Sequence, residues 1–235
     1  MTGYPPGMTD HTTAPEGRAT ALVLDVDGTL LDTNYLHVMA WWQSFRERGY
    51  DVSGFDLHRA IGRGSSELVE VLVGKQDDAV VEGHARHWAP LRERCTPFHG
   101  VQDLVRTCKE RGARIVYCTS GSPEDVEDLR AKIGCDQWVD AVVNSGDVEQ
   151  SKPAPDIVRA ALDAVDVRPE DAVMLGDTVY DVRAAHAAGV QCIGLVCGGI
   201  SEQELREAGA DAVYGNVSEL LQDLDASPVG RLLSS

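Results

Sequence analysis

Leu22-Val23-Leu24-Asp25-Val26-Asp27-Gly28-Thr29-Leu30 is an apolar run that ends in two carboxylates, two residues apart, and then a glycine. Three successive apolar residues without alternation mark a strand buried on both faces, as in a parallel sheet, where ligands bind beyond the strands' carboxyl ends. Strand side chains alternate with period two, so Asp25 and Asp27 leave the strand end on the same side, roughly 6–7 Å apart. Together they can hold one metal ion or one phosphate. Chemistry is therefore expected beside Asp25.

Outward from this stretch the pattern repeats. Strands are expected at Arg114–Cys118, Val139–Val143, Ala172–Leu175 and Val190–Val196, with helices between them. Ser122 and Pro123 open one helix as N-cap and first residue, and Gly189 closes another over Val179–Ala188. Asn34–Arg48, Ser66–Val73 and Asp77–Arg94 read as helices with no strand between them. This order predicts an α/β fold: a Rossmann-like doubly wound parallel sheet with an inserted α-helical cap subdomain. The expected boundaries are a flexible tail over 1–18, a core over 19–32 and 98–224, the cap over 33–97 and a C-terminal tail over 225–235.

Three further features fall where strands end. Thr119-Ser120-Gly121 precedes a helix, and its hydroxyls and free amides suit a phosphate oxygen as well as a helix cap. In Ser151-Lys152-Pro153-Ala154-Pro155-Asp156 two prolines forbid helix and hold Lys152 in an extended segment. Val173-Met174-Leu175-Gly176-Asp177-Thr178-Val179-Tyr180-Asp181 again runs an apolar strand into a glycine and acids. Asp177 lies at the strand end, and Asp181 follows four residues later on the same side of a first helical turn, where acids also complement the helix dipole.

On these residues the chain resembles the haloacid dehalogenase-like superfamily, in the helical-cap group of phosphoglycolate phosphatases and beta-phosphoglucomutase-like enzymes. The family pattern is D-x-D-G-T, a hydrophobic strand ending in Thr or Ser, a lysine often within K-P, and G-D-x-x-x-D. Here these are Asp25–Thr29, Thr119, Lys152-Pro153 and Gly176–Asp181, within residues 20 to 215. The resemblance implies a Mg²⁺-dependent phosphatase acting on a small phosphorylated metabolite through an aspartyl-phosphate. It makes Asp25 the nucleophile and Asp27 the general acid and base. It assigns Mg²⁺ to Asp25, the backbone carbonyl of Asp27 and Asp177, with Asp181 in or beside that shell. Lys152 and Thr119 would grip the phosphoryl oxygens, Gly28 would let the chain turn its amides toward phosphate, and Ser120 and Gly121 would add to that cradle.

The cap, on the same reading, closes over the site and selects the substrate. Arg63, in the glycine-flanked loop Ile61-Gly62-Arg63-Gly64, is the residue expected to reach a substrate anion. A phosphosugar mutase uses both acids and the same cap type and stands as the alternative, to be separated by product analysis. Dehalogenases of the family lack the second acid, which is present here as Asp27. A phosphonate hydrolase needs a Schiff-base lysine in the cap, for which Lys75 is the single donor. A non-catalytic binding module is a third reading.

Composition sets the outer bounds. A chain of 235 residues, 43% hydrophobic and 25% charged, suffices for one α/β core with a small insertion. A formal charge of -17, from 21 basic and 38 acidic residues, argues against nucleic acid or an anionic membrane as partner. Any phosphate site must therefore carry its own local positive charge. No apolar stretch approaches the roughly 18–20 residues of a membrane span and no secretory signal pattern is present, so a cytoplasmic protein is expected. The six cysteines lack a C-x-x-C pair and are expected as buried free thiols. His84, His87 and His99 are read as surface residues rather than zinc ligands, and Trp41 and Trp42 as packing between cap and core.

Overall fold

The apolar runs lie side by side. In the computed structural model, which describes residues 18–234, β1 (Ala21–Leu24), β2 (Arg114–Cys118), β3 (Ala141–Val143), β4 (Ala172–Gly176), β5 (Gln191–Leu195) and β6 (Ala212–Tyr214) form one sheet in the order β3-β2-β1-β4-β5-β6. Every pairing is parallel. The chain moves outward from β1 in one direction and then returns to continue from β4 in the other. The carboxyl ends of β1 and β4 therefore flank a topological switch point, the crevice in which such sheets bind ligands.

The two faces of β1 explain why its sequence does not alternate. Leu22 and Leu24 pack with Ile115, Tyr117, Val173 and Leu175 beneath α5 (Val101–Glu110), α6 (Pro123–Ile133), α10 (Val217–Gln222) and α11 (Pro228–Leu233). Ala21 and Val23 pack with Val116, Cys118, Ala172 and Met174 beneath α7 (Asp156–Asp163), α8 (Val179–Ala188) and α9 (Glu202–Ala208). With both faces covered, a polar residue at either register would be buried.

Between β1 and α5 the chain builds a helical insert of α1 (Asn34–Glu47), α2 (Gly54–Ala60), α3 (Ser65–Val73) and α4 (Asp78–Arg92). It has its own apolar cluster, including Trp41, Phe45, Leu57, Ile61, Leu68 and Val80. The two linkers to it run side by side: Leu31 bridges Pro97, the Asp32 amide donates to the Thr96 carbonyl at 3.0 Å, and the Phe98 amide donates to the Leu30 carbonyl at 3.0 Å.

Several expectations change. The strand expected from Val139 shortens to β3 because 136–138 form a 3₁₀ turn. Residues 225–235, read as a tail, contain α11, started by the Ser227 cap and Pro228, and Val229 is buried in the main core. The tail read over 1–18 lies outside the described residues except Arg18, which pairs with Asp171. Trp41 sits inside the insert's cluster and Trp42 is exposed with the Arg46 guanidinium 5.3 Å above its ring; Trp88 of α4 enters the main core instead. Adjacent helical residues point about 100° apart, so Trp41 and Trp42 cannot share one face.

The cysteines are free, five of them buried and Cys197 partly so. His84 is buried rather than on the surface, while His87 pairs with Glu47 and His99 with Ser218, so the three histidines serve separate contacts. No helix among the described residues is long and apolar enough to cross a membrane.

Candidate active site

Strand ends bring the acids together. Asp25 follows β1, Asp177 follows β4, and the capping box of α8 turns Asp181 back toward the same point. Oxygens of Asp25, Asp177 and Asp181 all lie within 4.8 Å of one another, and all three residues are buried. Like charges this close repel, and burial removes the water that would screen them. Burial pushes the Asp25 carboxyl up to about 7; Lys152 opposes this, while Asp181 and Asp27 add to it. Burial, followed by Asp181 and Asp25, raises Asp177 well above the usual range.

Lys152 is the counter-charge. Its side chain is fully buried, and its ammonium donates to Asp25 Oδ1 at 2.5 Å and the Cys118 carbonyl at 3.1 Å, and pairs with Asp181 Oδ1 at 2.7 Å. Burial works against the ammonium, but the Asp181 and Asp25 charges outweigh it and hold Lys152 well above its ordinary value. Two hydrogen bonds and a second carboxylate in ion-pair contact keep this buried cation tolerable. Among the described residues Asp177 has no cationic partner: its oxygens accept from neutral groups, Thr29 Oγ1 at 3.1 Å and Asn34 Nδ2 at 2.7 Å.

Asp27 is set apart from this cluster. Thr33 Oγ1 donates to its Oδ1 at 2.8 Å, His37 Nε2 lies 3.2 Å from the same oxygen, and Thr119 Oγ1 reaches Oδ2 at 3.3 Å. Burial tends to raise this carboxyl, but the His37 and Thr33 contacts outweigh it and hold it below its usual value. His37 in turn stacks on Trp88 at 3.7 Å and meets His84 Nε2 at 3.1 Å, and His84 stacks on Trp41 at 3.9 Å. Burial, helped by His37, drives His84 well below the ordinary imidazole value.

The structure brings Asp25, Asp27, Ser120, Gly121 and Arg63 onto one cavity between insert and sheet. Lys152 and Thr119 lie beneath it. Thr119 Oγ1 accepts the Gly121 amide at 2.9 Å while facing Asp27, so its hydroxyl already orients the acid. Gly28 differs from expectation, because its amide donates to the Leu31 carbonyl at 2.9 Å rather than facing the cavity. Its glycine is demanded instead by a φ of +76° and by Asn34 and Asp177, whose atoms would lie 2.3 and 2.4 Å from a Cβ. Lys75 is exposed beside the Tyr50 ring and does not line the cavity, so the Schiff-base reading has no donor there.

Sequence reasoning missed Thr33, Asn34 and His37. They fall at the start of α1, where polar residues read as capping or surface positions. Thr33 and His37 lie six and ten residues beyond Asp27, a spacing that could have marked them, whereas the partners of Asn34 are far along the chain.

A doubly wound parallel sheet whose switch point holds a lysine-linked carboxylate cluster under a helical insert places this chain among α/β proteins with their site at the strand ends. The chain belongs to the haloacid dehalogenase-like hydrolase family, whose model matches residues 19–189. It is 34% identical over 222 residues to Protein CbbY of Cereibacter sphaeroides, covering 85% of this chain and 93% of that protein. It is 27% identical over 211 residues to the pyrophosphatase PpaX of Halalkalibacterium halodurans, covering 85% and 94%. Among solved structures, CbbY from Rhodobacter sphaeroides in complex with phosphate superposes with a TM-score of 0.71 at 29% identity, over 86% of this chain and 96% of that one. A variant of that protein is seen in complex with xylulose-(1,5)bisphosphate, with a TM-score of 0.72 at 28% identity over the same shares of 86% and 96%.

Proposed function

We propose that the protein is a Mg²⁺-dependent phosphatase that hydrolyses a small phosphomonoester through an aspartyl-phosphate on Asp25. The observation that carries this reading is the pairing of two carboxylates at one cavity floor with opposite environments: Asp25 bound to buried Lys152, and Asp27 held by Thr33 and His37. The pyrophosphatase name of a relative, and phosphate on CbbY, agree with it.

With Lys152 bound to Oδ1 of Asp25, the other carboxylate oxygen is the one directed to attack phosphorus. As that bond forms, the bond from phosphorus to the ester oxygen breaks, and Asp27 gives its proton to the departing alkoxide. His37, 3.2 Å from Asp27, fixes the direction of that carboxyl, and the proton given up here is the one Asp27 recovers from water in the next step. In the second step the Asp27 carboxylate takes a proton from water as its oxygen attacks phosphorus, releasing phosphate and restoring Asp25. Thr33 and His37 favour the carboxylate form that this step needs.

Three buried hard-oxygen ligands, one of them without a cationic partner, suit Mg²⁺. Asp25 and Asp177 would hold it with the Asp27 carbonyl, and Asp181 beside them. When bound, the ion supplies positive charge against the phosphoryl oxygens. The reading is tested by phosphate release from an aryl phosphate with Mg²⁺ and with chelator, and by trapping a phosphoenzyme in acid. Metal-dependent release with a label on Asp25 supports it; equal release in chelator, or an isomerised product in place of free phosphate, overturns it.

A further inference from the structure

The cavity over Asp25 and Asp27 has a volume of about 160 Å³, below the ~300–1,000 Å³ of pockets that take drug-sized ligands. The insert builds the far side of the cavity, with Trp41, Ile61, Leu68, Val81 and Ala85 forming an apolar face beside the polar His37, Arg63, Ser65 and His84. Among the lining residues a single guanidinium or ammonium is present, that of Arg63. Its charge is already matched: one guanidinium nitrogen bonds Glu67, and the group lies 4.3 Å above the Tyr180 ring. Its Nε is buried with no hydrogen-bond partner, one donor left over. His84, stacked on Trp41 and facing His37, adds a ring without adding a free cation.

The approach is acidic. The open cleft beside the cavity, between α3 and the 145–155 segment, is lined by Glu67, Glu70 and Glu149 with no lysine or arginine. Asp125 stands at the cavity wall, paired with Arg92. An anion on the far side of a substrate would face the three glutamates of the adjoining cleft and would lose its water beside an arginine that Glu67 already pairs. A buried charge without a free partner is strongly disfavoured, whereas an apolar group against Trp41 and Leu68 gains by leaving water.

We infer that this site selects a phosphomonoester whose alcohol is compact, uncharged and apolar on one face, with at most one neutral oxygen for Arg63 Nε, and that it discriminates against a second phosphate or a carboxylate. The inference rests on the phosphatase reading above and adds the substrate class to it. It sets this chain apart from the bisphosphate seen on CbbY.

The test compares kcat/KM for butyl phosphate, carboxypropyl phosphate and butanediol bisphosphate, with phenyl phosphate as the generic substrate, in the wild type and in Glu67→Gln. Butyl phosphate should exceed both charged esters by roughly tenfold or more. Glu67→Gln frees Arg63, so carboxypropyl phosphate should gain on butyl phosphate by roughly fivefold. Glu67 is partly exposed, so the variant should fold. Phosphate release from none of the four esters overturns the phosphatase reading itself. Release in which a charged ester equals or exceeds butyl phosphate overturns the selectivity inference alone. A ratio unmoved in Glu67→Gln overturns the part given to the Arg63–Glu67 pair.

Discussion

The sheet and the helical insert treat charge in opposite ways. At the strand ends, Asp25, Asp177 and Asp181 are buried together and balanced by one buried lysine. Across the cavity, the insert offers Trp41, Ile61, Leu68 and an arginine whose charge is already matched. Strands hydrogen-bonded on both sides cannot shift without breaking the ladder, so they can hold repelling groups in place. The insert has its own core and is joined to the rest by two adjacent linkers and by local contacts such as Trp88, so the part of its wall around Trp41, Ile61 and Leu68 can differ in shape without disturbing the acids. On the proposed function, chemistry and selection thus fall to different parts of the chain.

Substitutions in the two regions should break this division in different ways. The largest effect is expected from Asp25→Asn, which removes the proposed nucleophile: turnover should fall on the order of 10³-fold or more for every ester, with no phosphoenzyme and an unchanged circular dichroism spectrum. Equal residual activity would place the covalent step elsewhere. Lys152→Met should abolish turnover and lower stability by about 3–5 kcal/mol in urea unfolding, because Asp25 and Asp181 lose their buried partner.

Asp177→Ala should raise the Mg²⁺ concentration needed for half-maximal turnover and remove the rise in Tm expected when Mg²⁺ is added to the wild type. A retained Tm shift would show that Asp177 is not a ligand. On the insert side, His37→Ala should lower kcat about tenfold while changing KM little, since it acts on Asp27 and not on the ester. A change confined to KM would make His37 part of the binding wall.

The smallest effect lies outside the cavity, at Asp140, which accepts from Lys109, Arg114 and the Ile115 amide. Burial tends to raise this carboxyl, but the Lys109 and Ile115 hydrogen bonds outweigh it, so its folded-state value is lowered. Its stabilisation is present above the unfolded value of about 3.9 and is lost as pH falls through the lower folded value. Asp140→Asn should cost about 1 kcal/mol at neutral pH, and the gap should close in acid unfolding curves, with turnover untouched.

Much of the core was legible. β2 runs over Arg114–Cys118 as expected and α8 over Val179–Ala188, because a fully covered strand and a glycine-closed helix leave strong marks. β6 and α2 left none: β6 is three half-buried residues at the sheet edge, and α2 is seven residues with two buried positions. Asn34 gave no signal because its partners, Asp177 and the Gly198 carbonyl, are 143 and 164 residues away.

From sequence alone came the parallel sheet, the placement of acids at strand ends and the family, since these follow from local apolar runs and from residues adjacent in the chain. Only the tertiary structure decided which carboxylate Lys152 neutralises, which groups orient Asp27, and that Arg63 reaches the cavity already paired. Those outcomes depend on distances between residues far apart in sequence, and on burial, which turns a solvated charge into one that must find a partner.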